Sequence, residues 1–221
     1  MEYGLIFDMD GVIIDSNPYH KIAWWEFLGK QGIHFNDQLF DDSISGRQGN
    51  STLRNLIGTH LTEQKINDYL DEIDGTFQEI LRRAEGVEPP SGLVSFLRAI
   101  KAAGSKTALA TSAPARNVEL SLEKLQLRSY FDVILDKTDV TNGKPDPEVY
   151  LTAVERLGIQ TDRCVVFEDS RAGIRSALAA GLRVVGVTSG HSSEELLAEG
   201  VTMAIEDFTA ITLDDIQKIL Q

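Results

Sequence analysis

Residues 3–12 read YGLIFDMDGV, an apolar run that ends abruptly in two aspartates and a glycine. The run 3–7 is typical of a buried parallel strand, and ligands of open parallel sheets bind beyond the carboxyl ends of the strands. Asp8 and Asp10 are two residues apart on an extended chain, so their carboxylates face the same side. Two like charges this close require a cation or a shared proton. The stretch therefore predicts an acidic ligand site after the first strand, with a solvated turn as the alternative.

The rest of the chain repeats this arrangement of a short apolar run followed by a helical pattern. Further strands are predicted at 106–110, 133–135, 164–167 and 183–187. Helical patterns occupy 93–103, 118–125, 148–157 and 172–180. Strands that alternate with helices indicate a doubly wound α/β fold, in which helices cover both faces of a parallel sheet.

The segment 15–85 has a different character, because it contains no convincing strand. Helical patterns cover most of it, at 20–32, 51–58 and 62–83. Pro89-Pro90 marks the return to the α/β pattern, since consecutive prolines favour extended backbone. The sequence therefore predicts two domains: an α/β core made of 1–14 and 86–221, and a small helical domain, 15–85, inserted after the first strand.

Composition restricts the partners of the chain. Its formal net charge is −13, whereas nucleic acids and anionic membranes bind basic surfaces, so neither is expected as a partner. The single cysteine, Cys164, excludes an intramolecular disulfide, and its apolar neighbours are typical of a core position. No apolar run has the length of a membrane span, and no secretory leader is visible. We expect a cytoplasmic monomer that acts on a small phosphorylated metabolite.

Three more predicted strands end in residues suited to a phosphate or a metal ion. Thr111-Ser112 follows the second strand, where a hydroxyl could hold a phosphate oxygen or could simply cap a helix. Lys144 follows the third strand in a loop where Gly143 permits a tight turn and two prolines stiffen the backbone, which favours a positioned charge over a free surface lysine. Glu168-Asp169 ends the fourth strand and supplies a second acidic pair, the ligand type that Mg²⁺ prefers.

These four motifs, in this order, resemble those of the haloacid dehalogenase superfamily, in its branch with a helical cap inserted after the first motif. The motifs are Asp8-Met9-Asp10-Gly11-Val12, Thr111-Ser112, Lys144-Pro145 and Glu168-Asp169. The match covers nearly the whole chain. The resemblance implies a Rossmann-like α/β core with a small α-helical cap domain, and phosphoryl transfer with Mg²⁺ as the cofactor.

The resemblance also implies a catalytic role for each motif. Asp8 would attack phosphorus and form an aspartyl-phosphate. Asp10 would protonate the leaving oxygen and then deprotonate the attacking water or hydroxyl. Thr111 and Lys144 would hold the phosphoryl oxygens, with Ser112 beside them as a substrate-binding residue. The presence of Asp10 favours phosphoryl transfer over dehalogenation, which needs no proton donor at that position.

A magnesium site is implied by the same resemblance. Asp8 would bind the ion through a carboxylate oxygen and Asp10 through its backbone carbonyl. Asp169 would bind directly, and Glu168 either directly or through water. Oxygen ligands of this kind suit Mg²⁺, which retains waters and bridges phosphate groups.

Within the superfamily, the chain most resembles the β-phosphoglucomutase-like sugar phosphatases. The supporting residues are Asp15, Pro18-Tyr19-His20, Ala23-Trp24 and Gly46-Arg47. Gly46 and Arg47 would bind a second phosphate or sugar hydroxyls, unless Arg47 is a solvated arginine at a helix end. His20 would couple cap closure to the acid–base aspartate, or serve as a hinge histidine with a structural hydrogen bond.

Two departures weigh against a mutase. Arg47 follows Gly46 directly, whereas the mutases place an arginine three residues after that glycine, and the mutases' cap lysine has no counterpart near Ile73. A mutase must hold a bisphosphate in two orientations, which requires cap cations. The sequence therefore favours a Mg²⁺-dependent phosphatase acting on a sugar phosphate or similar ester. A β-phosphoglucomutase, a pyrophosphatase and a non-catalytic phosphate-binding relative are the alternatives.

Overall fold

A computed structural model describes residues 2–44 and 49–221 of the chain. The chain divides into two compact units, one made of Met1–Asp15 with Val87–Gln221 and the other of Ser16–Gly86. The first unit contains the sheet with its helices, and the described part of the second unit is helical. None of the described helices combines the length and the apolar character needed to cross a bilayer.

The described residues of the first unit form six strands and six helices. The strands are β1 (Gly4–Phe7), β2 (Lys106–Ala110), β3 (Val133–Leu135), β4 (Cys164–Glu168), β5 (Arg183–Val187) and β6 (Met203–Ile205). The helical unit comes between β1 and β2 in the chain and contains α1 (Asn17–Lys30), α2 (Asp37–Ser43), α3 (Gly49–Leu56) and α4 (Glu63–Arg83). The helices of the first unit are α5 (Leu93–Ala102), α6 (Ala115–Leu125), α7 (Glu148–Leu157), α8 (Arg171–Ala179), α9 (Ser193–Ala198) and α10 (Leu213–Ile219).

The strands form one parallel sheet in the order β3-β2-β1-β4-β5-β6. The chain therefore runs outward from β1 to β3 and then returns to place β4 on the other side of β1. Ligand sites of open α/β sheets lie at this change of direction, beyond the carboxyl ends of the strands. Phe7 of β1 pairs with Phe167 of β4, so the residues that follow are neighbours. The doubly wound α/β fold predicted from the sequence is confirmed.

Some elements differ from the sequence prediction. The strand β6 was not predicted; it has three residues, of which only Ile205 is buried, so it lacks a clear apolar run. The helices α2, α9 and α10 were also missed, since each is only six or seven residues long. Each of the three begins at a side-chain cap, in which Asn36, Ser192 or Thr212 accepts a backbone N–H of the first turn.

Aromatic packing against one face of the sheet fixes the strand ends. On that face Phe7 stacks on Phe167, with ring centroids 4.6 Å apart, and Phe96 and Phe208 pack against Phe167 at 5.7 and 5.4 Å. All four rings are buried, and each contributes roughly 1.5–3 kcal/mol through the hydrophobic effect. The residues directly after β1 and β4 thus project from a rigid base.

The helical unit has its own core, formed mainly between α1 and α4. Phe27 of α1 meets Tyr69 of α4 edge-on, with centroids 5.0 Å apart. Trp24 and Ile73 are buried in the same unit. Ile73, which the sequence comparison places near the mutases' cap lysine, is therefore a core residue of this unit.

Candidate active site

The turn after β1 sets the first acidic pair in place. The N–H of Asp8 donates to the Phe167 carbonyl at 3.0 Å and so extends the sheet by one residue. The chain then folds back, and the N–H of Gly11 donates to the Ile14 carbonyl at 2.8 Å. Gly11 has a φ of +74°, and a Cβ there would overlap Oδ2 of Asp169. Only glycine satisfies both the backbone conformation and the close approach.

Lys144 connects the ends of three strands. Its Nζ donates to Asp8 Oδ1 at 2.7 Å, to Glu168 Oε1 at 2.7 Å and to the Ala110 carbonyl at 3.3 Å. An ammonium carries three hydrogens, so all of them are engaged. Lys144, Asp8 and Glu168 are all buried, which keeps the two ion pairs from being screened by solvent. The structure thus brings together the predicted groups of the first, third and fourth motifs.

Glu168, the last residue of β4, accepts five hydrogen bonds. Oε1 accepts from Lys144 and from the Tyr150 hydroxyl at 2.9 Å. Oε2 accepts from the N–H groups of Asp169 and Ser170, both at 2.9 Å, and from Ser170 Oγ at 3.0 Å. A carboxylate offers about four lone-pair directions. The protein itself therefore uses the full accepting capacity of Glu168.

Asp169 has fewer partners within the protein. Its Oδ2 accepts from Ser189 Oγ at 3.0 Å, and its backbone carbonyl lies 3.1 Å from His191 Nδ1. A carbonyl can only accept, so Nδ1 of His191 carries the proton in this contact. Both partners come from the loop after β5, which thereby orients Asp169.

The hydroxyl pair after β2 is divided between the interior and the surface. Thr111 is buried, and its Oγ1 accepts from the N–H of Ala113 at 3.1 Å. That bond leaves the Thr111 hydroxyl hydrogen available as a donor. Ser112 is exposed. Asp10 lies half-buried in the turn after β1, where it forms an isolated bridge with Ile14.

The buried charges shift one another's protonation. Burial, reinforced by Glu168 and Asp10, raises the pKa of Asp8 to about 7 despite the opposing effect of Lys144. Burial and the neighbouring carboxylates also hold the pKa of Asp169 well above its usual range. Burial lowers the pKa of Lys144, but Asp8 and Glu168 outweigh it and hold that pKa well above the usual value. The site therefore keeps its ammonium and has more carboxylates than it can neutralise.

A divalent cation fits this excess of negative charge. Asp8, Glu168 and Asp169 each offer a carboxylate oxygen, and these atoms all lie within 4.8 Å of one another. Distance admits all three as ligands, but Glu168 already accepts five hydrogen bonds within the protein. Asp8 and Asp169 are thus the side chains best able to bind the ion, which would neutralise charge on a transferring phosphoryl group.

Of the predicted substrate-binding residues of the helical unit, the structure describes His20 only. His20, on α1, stacks on Phe77 of α4, with ring centroids 4.1 Å apart and an interplanar angle of 8°. This contact gives the imidazole a packing role within its own unit. Gly46 and Arg47 lie outside the described residues, so their predicted part in substrate binding stays a prediction.

Sequence reasoning missed three side chains of this site: Tyr150, Ser189 and His191. Tyr150 belongs to the apolar face of α7, where it reads as an ordinary core residue. A buried tyrosine usually needs a partner for its hydroxyl, which was the one available signal. Ser189 and His191 follow β5 in a loop whose residues carry no recognisable pattern.

Comparisons with known proteins agree with the fold. The family model of haloacid dehalogenase-like hydrolases matches residues 5–187. A phosphorylated carbohydrates phosphatase of Thermotoga maritima is 33% identical over 91% of this chain and 92% of its own length. A β-phosphoglucomutase of Bacillus subtilis is 29% identical over 85% and 84%.

A solved structure shows the same similarity in three dimensions. A HAD hydrolase of family IA, variant 3, from Entamoeba histolytica superposes with a TM-score of 0.92 at 28% identity, covering 100% of this chain and 99% of the other. The family match spans the strand ends that hold the acidic residues, and the superposition covers the whole chain. This chain belongs to the haloacid dehalogenase-like hydrolase family, as an enzyme of its phosphatase type.

Proposed function

We propose that the chain is a Mg²⁺-dependent phosphatase that hydrolyses a sugar phosphate or similar small ester through an aspartyl-phosphate on Asp8. The observation that carries the proposal is the buried Asp8 carboxylate, bonded at 2.7 Å to an ammonium whose other carboxylate partner is Glu168. A nucleophile needs its charge balanced before it approaches an anionic ester. Lys144 provides part of that balance, and the cation held by Asp8 and Asp169 would provide the rest.

The chemistry consists of two displacements. Asp8 attacks phosphorus as the bond from phosphorus to the ester oxygen breaks, and Asp10 gives its proton to the departing alcohol. A water molecule then attacks phosphorus of the phospho-Asp8 as the bond from phosphorus to the Asp8 oxygen breaks, Asp10 takes a proton of that water, and inorganic phosphate leaves. Thr111, with its free hydroxyl hydrogen, would donate to a phosphoryl oxygen. Holding these groups in place supplies most of the rate enhancement in reactions of this kind.

We assign the catalytic part to the α/β unit and a cap role to the helical unit Ser16–Gly86. All contacts among the proposed catalytic and metal-binding side chains described above lie within the α/β unit. Substrate choice would then depend on the helical unit, including the region of Gly46 and Arg47. The carbohydrate phosphatase from Thermotoga maritima is a relative whose name agrees with a sugar phosphate as substrate.

The first experiment measures phosphate release from a panel of sugar phosphates, nucleotides, pyrophosphate and an aryl phosphate, with Mg²⁺ and with chelator. Rapid acid quenching of radiolabelled substrate should trap label on the wild-type protein but not on Asp8→Asn. Asp71→Asn, an exposed aspartate of α4, is the matched control and should behave as the wild type. The proposal would be contradicted if no ester of the panel released phosphate, or if Asp8→Asn released phosphate as fast as the wild type.

A second incubation separates the hydrolase from the mutase named among the relatives. Enzyme, Mg²⁺, β-glucose 1-phosphate and a trace of the corresponding bisphosphate are combined, and glucose 6-phosphate and free phosphate are both measured. We expect free phosphate without appreciable isomer. Isomer that accumulates much faster than phosphate would identify a mutase.

A further inference from the structure

The two neighbouring acids at the end of β4, Glu168 and Asp169, are held by different side chains. Glu168 is fully buried and turned toward Lys144 and Tyr150. Asp169 is turned toward Ser189 in the loop after β5. Two adjacent carboxylates with separate sets of partners can perform separate tasks.

The ammonium of Lys144 lies midway between two carboxylates. Its distances to Asp8 Oδ1 and to Glu168 Oε1 are both 2.7 Å. Its third bond, to the Ala110 carbonyl, is longer at 3.3 Å and is therefore the one that a phosphoryl oxygen can most readily replace. How strongly Glu168 attracts the ammonium determines how much of its charge acts on Asp8 and on the phosphoryl group.

Tyr150 controls that attraction. Its hydroxyl donates at 2.9 Å to the same oxygen of Glu168 that binds Lys144, and the ammonium also lies 4.8 Å from the centre of its ring. A donor on this oxygen draws off part of its negative charge. Without the hydroxyl, Lys144 would be the only donor to Glu168 Oε1 and would be held more firmly by Glu168, at the expense of Asp8.

Ser189 orients Asp169 through a hydrogen bond, as Tyr150 does Glu168. Its hydroxyl donates to Oδ2 at 3.0 Å, which fixes the orientation of the carboxylate and leaves Oδ1 for a ligand. Outer partners of this kind orient the ligands of a metal ion and change its affinity about 10–100-fold when removed. His191 holds the backbone of the same residue and strengthens the effect.

We propose that Tyr150 and Ser189 are positioning residues that divide the work of the acidic pair: Tyr150 sets Glu168 as the anchor of Lys144, and Ser189 sets Asp169 as a metal ligand. The inference rests on the proposed function and adds to it which acid serves which partner.

The test compares Tyr150→Phe, Ser189→Ala and the control Tyr130→Phe. Tyr130→Phe removes the same atom from a half-buried tyrosine whose hydroxyl accepts from Arg98. Three quantities are measured for each protein: kcat at saturating Mg²⁺, the Mg²⁺ dissociation constant by titration calorimetry, and the melting temperature as a check of folding. The Phe variant keeps the ring at 150, so it isolates the hydroxyl.

Tyr150→Phe should lower kcat about 10–100-fold, as expected for the loss of a hydrogen bond to a charged group, and leave the dissociation constant for Mg²⁺ near that of the wild type. Ser189→Ala should weaken Mg²⁺ binding about tenfold, and its loss of kcat at saturating Mg²⁺ should be smaller than that of Tyr150→Phe. Tyr130→Phe should match the wild type in both quantities. A general loss of stability would not produce these opposite patterns.

The inference is overturned if Tyr150→Phe keeps the kcat of the control, if it weakens Mg²⁺ binding as much as Ser189→Ala does, or if Ser189→Ala binds Mg²⁺ like the wild type. Should Tyr150→Phe not fold, Tyr150→Met removes the same hydroxyl and replaces it in all measurements. Wild-type protein that releases no phosphate would refute the proposed function instead. The calorimetric comparison still judges the inference in that case, because it does not depend on turnover.

Discussion

Replacing Asp8 by asparagine should change how the stability of the metal-free protein depends on pH. Asn keeps nearly the same shape and can still accept from Lys144, but it carries no proton to gain or lose. The pKa of Asp8 is about 7 in the folded protein, against 3.8 for an ordinary aspartate. Between these values the native state binds a proton that the unfolded chain has lost, so the free energy of unfolding falls as pH rises and levels off above about 7.

The difference between the two pKa values, about three pH units, corresponds to roughly 4 kcal/mol at 1.36 kcal/mol per unit. Because the neighbouring carboxylates interact with Asp8, we expect the free energy of unfolding to change by roughly 2–4 kcal/mol between pH 4.5 and pH 8. Over this range the wild type should lose that much stability relative to Asp8→Asn. The stability of Asp8→Asn should thus rise relative to that of the wild type as pH increases, although we expect the variant to be inactive.

The measurement is urea unfolding of both proteins in chelator at half-unit steps of pH, followed by circular dichroism. Asp71→Asn, which alters an exposed carboxylate of α4, serves as the control and should run parallel to the wild type. Adding Mg²⁺ at pH 8 should stabilise the wild type more than Asp8→Asn, since the variant lacks one ligand. Stability curves of wild type and Asp8→Asn that stay parallel from pH 4.5 to 8 would refute the reasoning.

Four further predictions concern the same site. Asp10→Ala should slow both formation and hydrolysis of the phosphoenzyme by about 10²–10⁴-fold, measured in single turnovers, and a normal rate in either step would limit its role to the other. Chelator should abolish phosphate release, and Mg²⁺ should restore it. Ca²⁺ should inhibit it, because the longer bonds of Ca²⁺ misplace Asp8. Full activity in chelator would exclude a metal requirement. Near pH 7, Mg²⁺ binding should be accompanied by proton release from Asp8. Calorimetry in buffers of different ionisation enthalpy detects such release. Binding without proton release would contradict the assigned pKa of Asp8. Gly173→Ala should destabilise the protein by roughly 2–4 kcal/mol, since the new Cβ would overlap Oε1 of Glu168. The control Gly75→Ala should be neutral or stabilising, because its new Cβ meets no atom within 4 Å. Equal melting temperatures of the two variants would show that the site is more adaptable than described.

The sequence alone was sufficient to predict the sheet and to assign the candidate site residues to the ends of its strands. Short apolar runs separated by helical patterns indicate parallel strands, and parallel strands bring their carboxyl ends to one edge. Asp8, Lys144 and Glu168 are up to 160 residues apart in the chain, yet each follows or ends such a run. Their meeting in one cluster follows from that rule and from the order of the motifs, without any knowledge of side-chain contacts.

Only the tertiary structure decided how the groups of that cluster share hydrogen bonds. The choice depends on register and on how α7 packs against the sheet, because a difference of one ångström determines which oxygen a donor reaches. Tyr150 looks like any core residue of α7 until its hydroxyl is found 2.9 Å from Glu168. Ser189 gains its place beside Asp169 from the loop after β5. The sequence determined that two acids end β4, and tertiary packing determined that one is fully hydrogen-bonded by the protein while the other keeps an oxygen for a ligand.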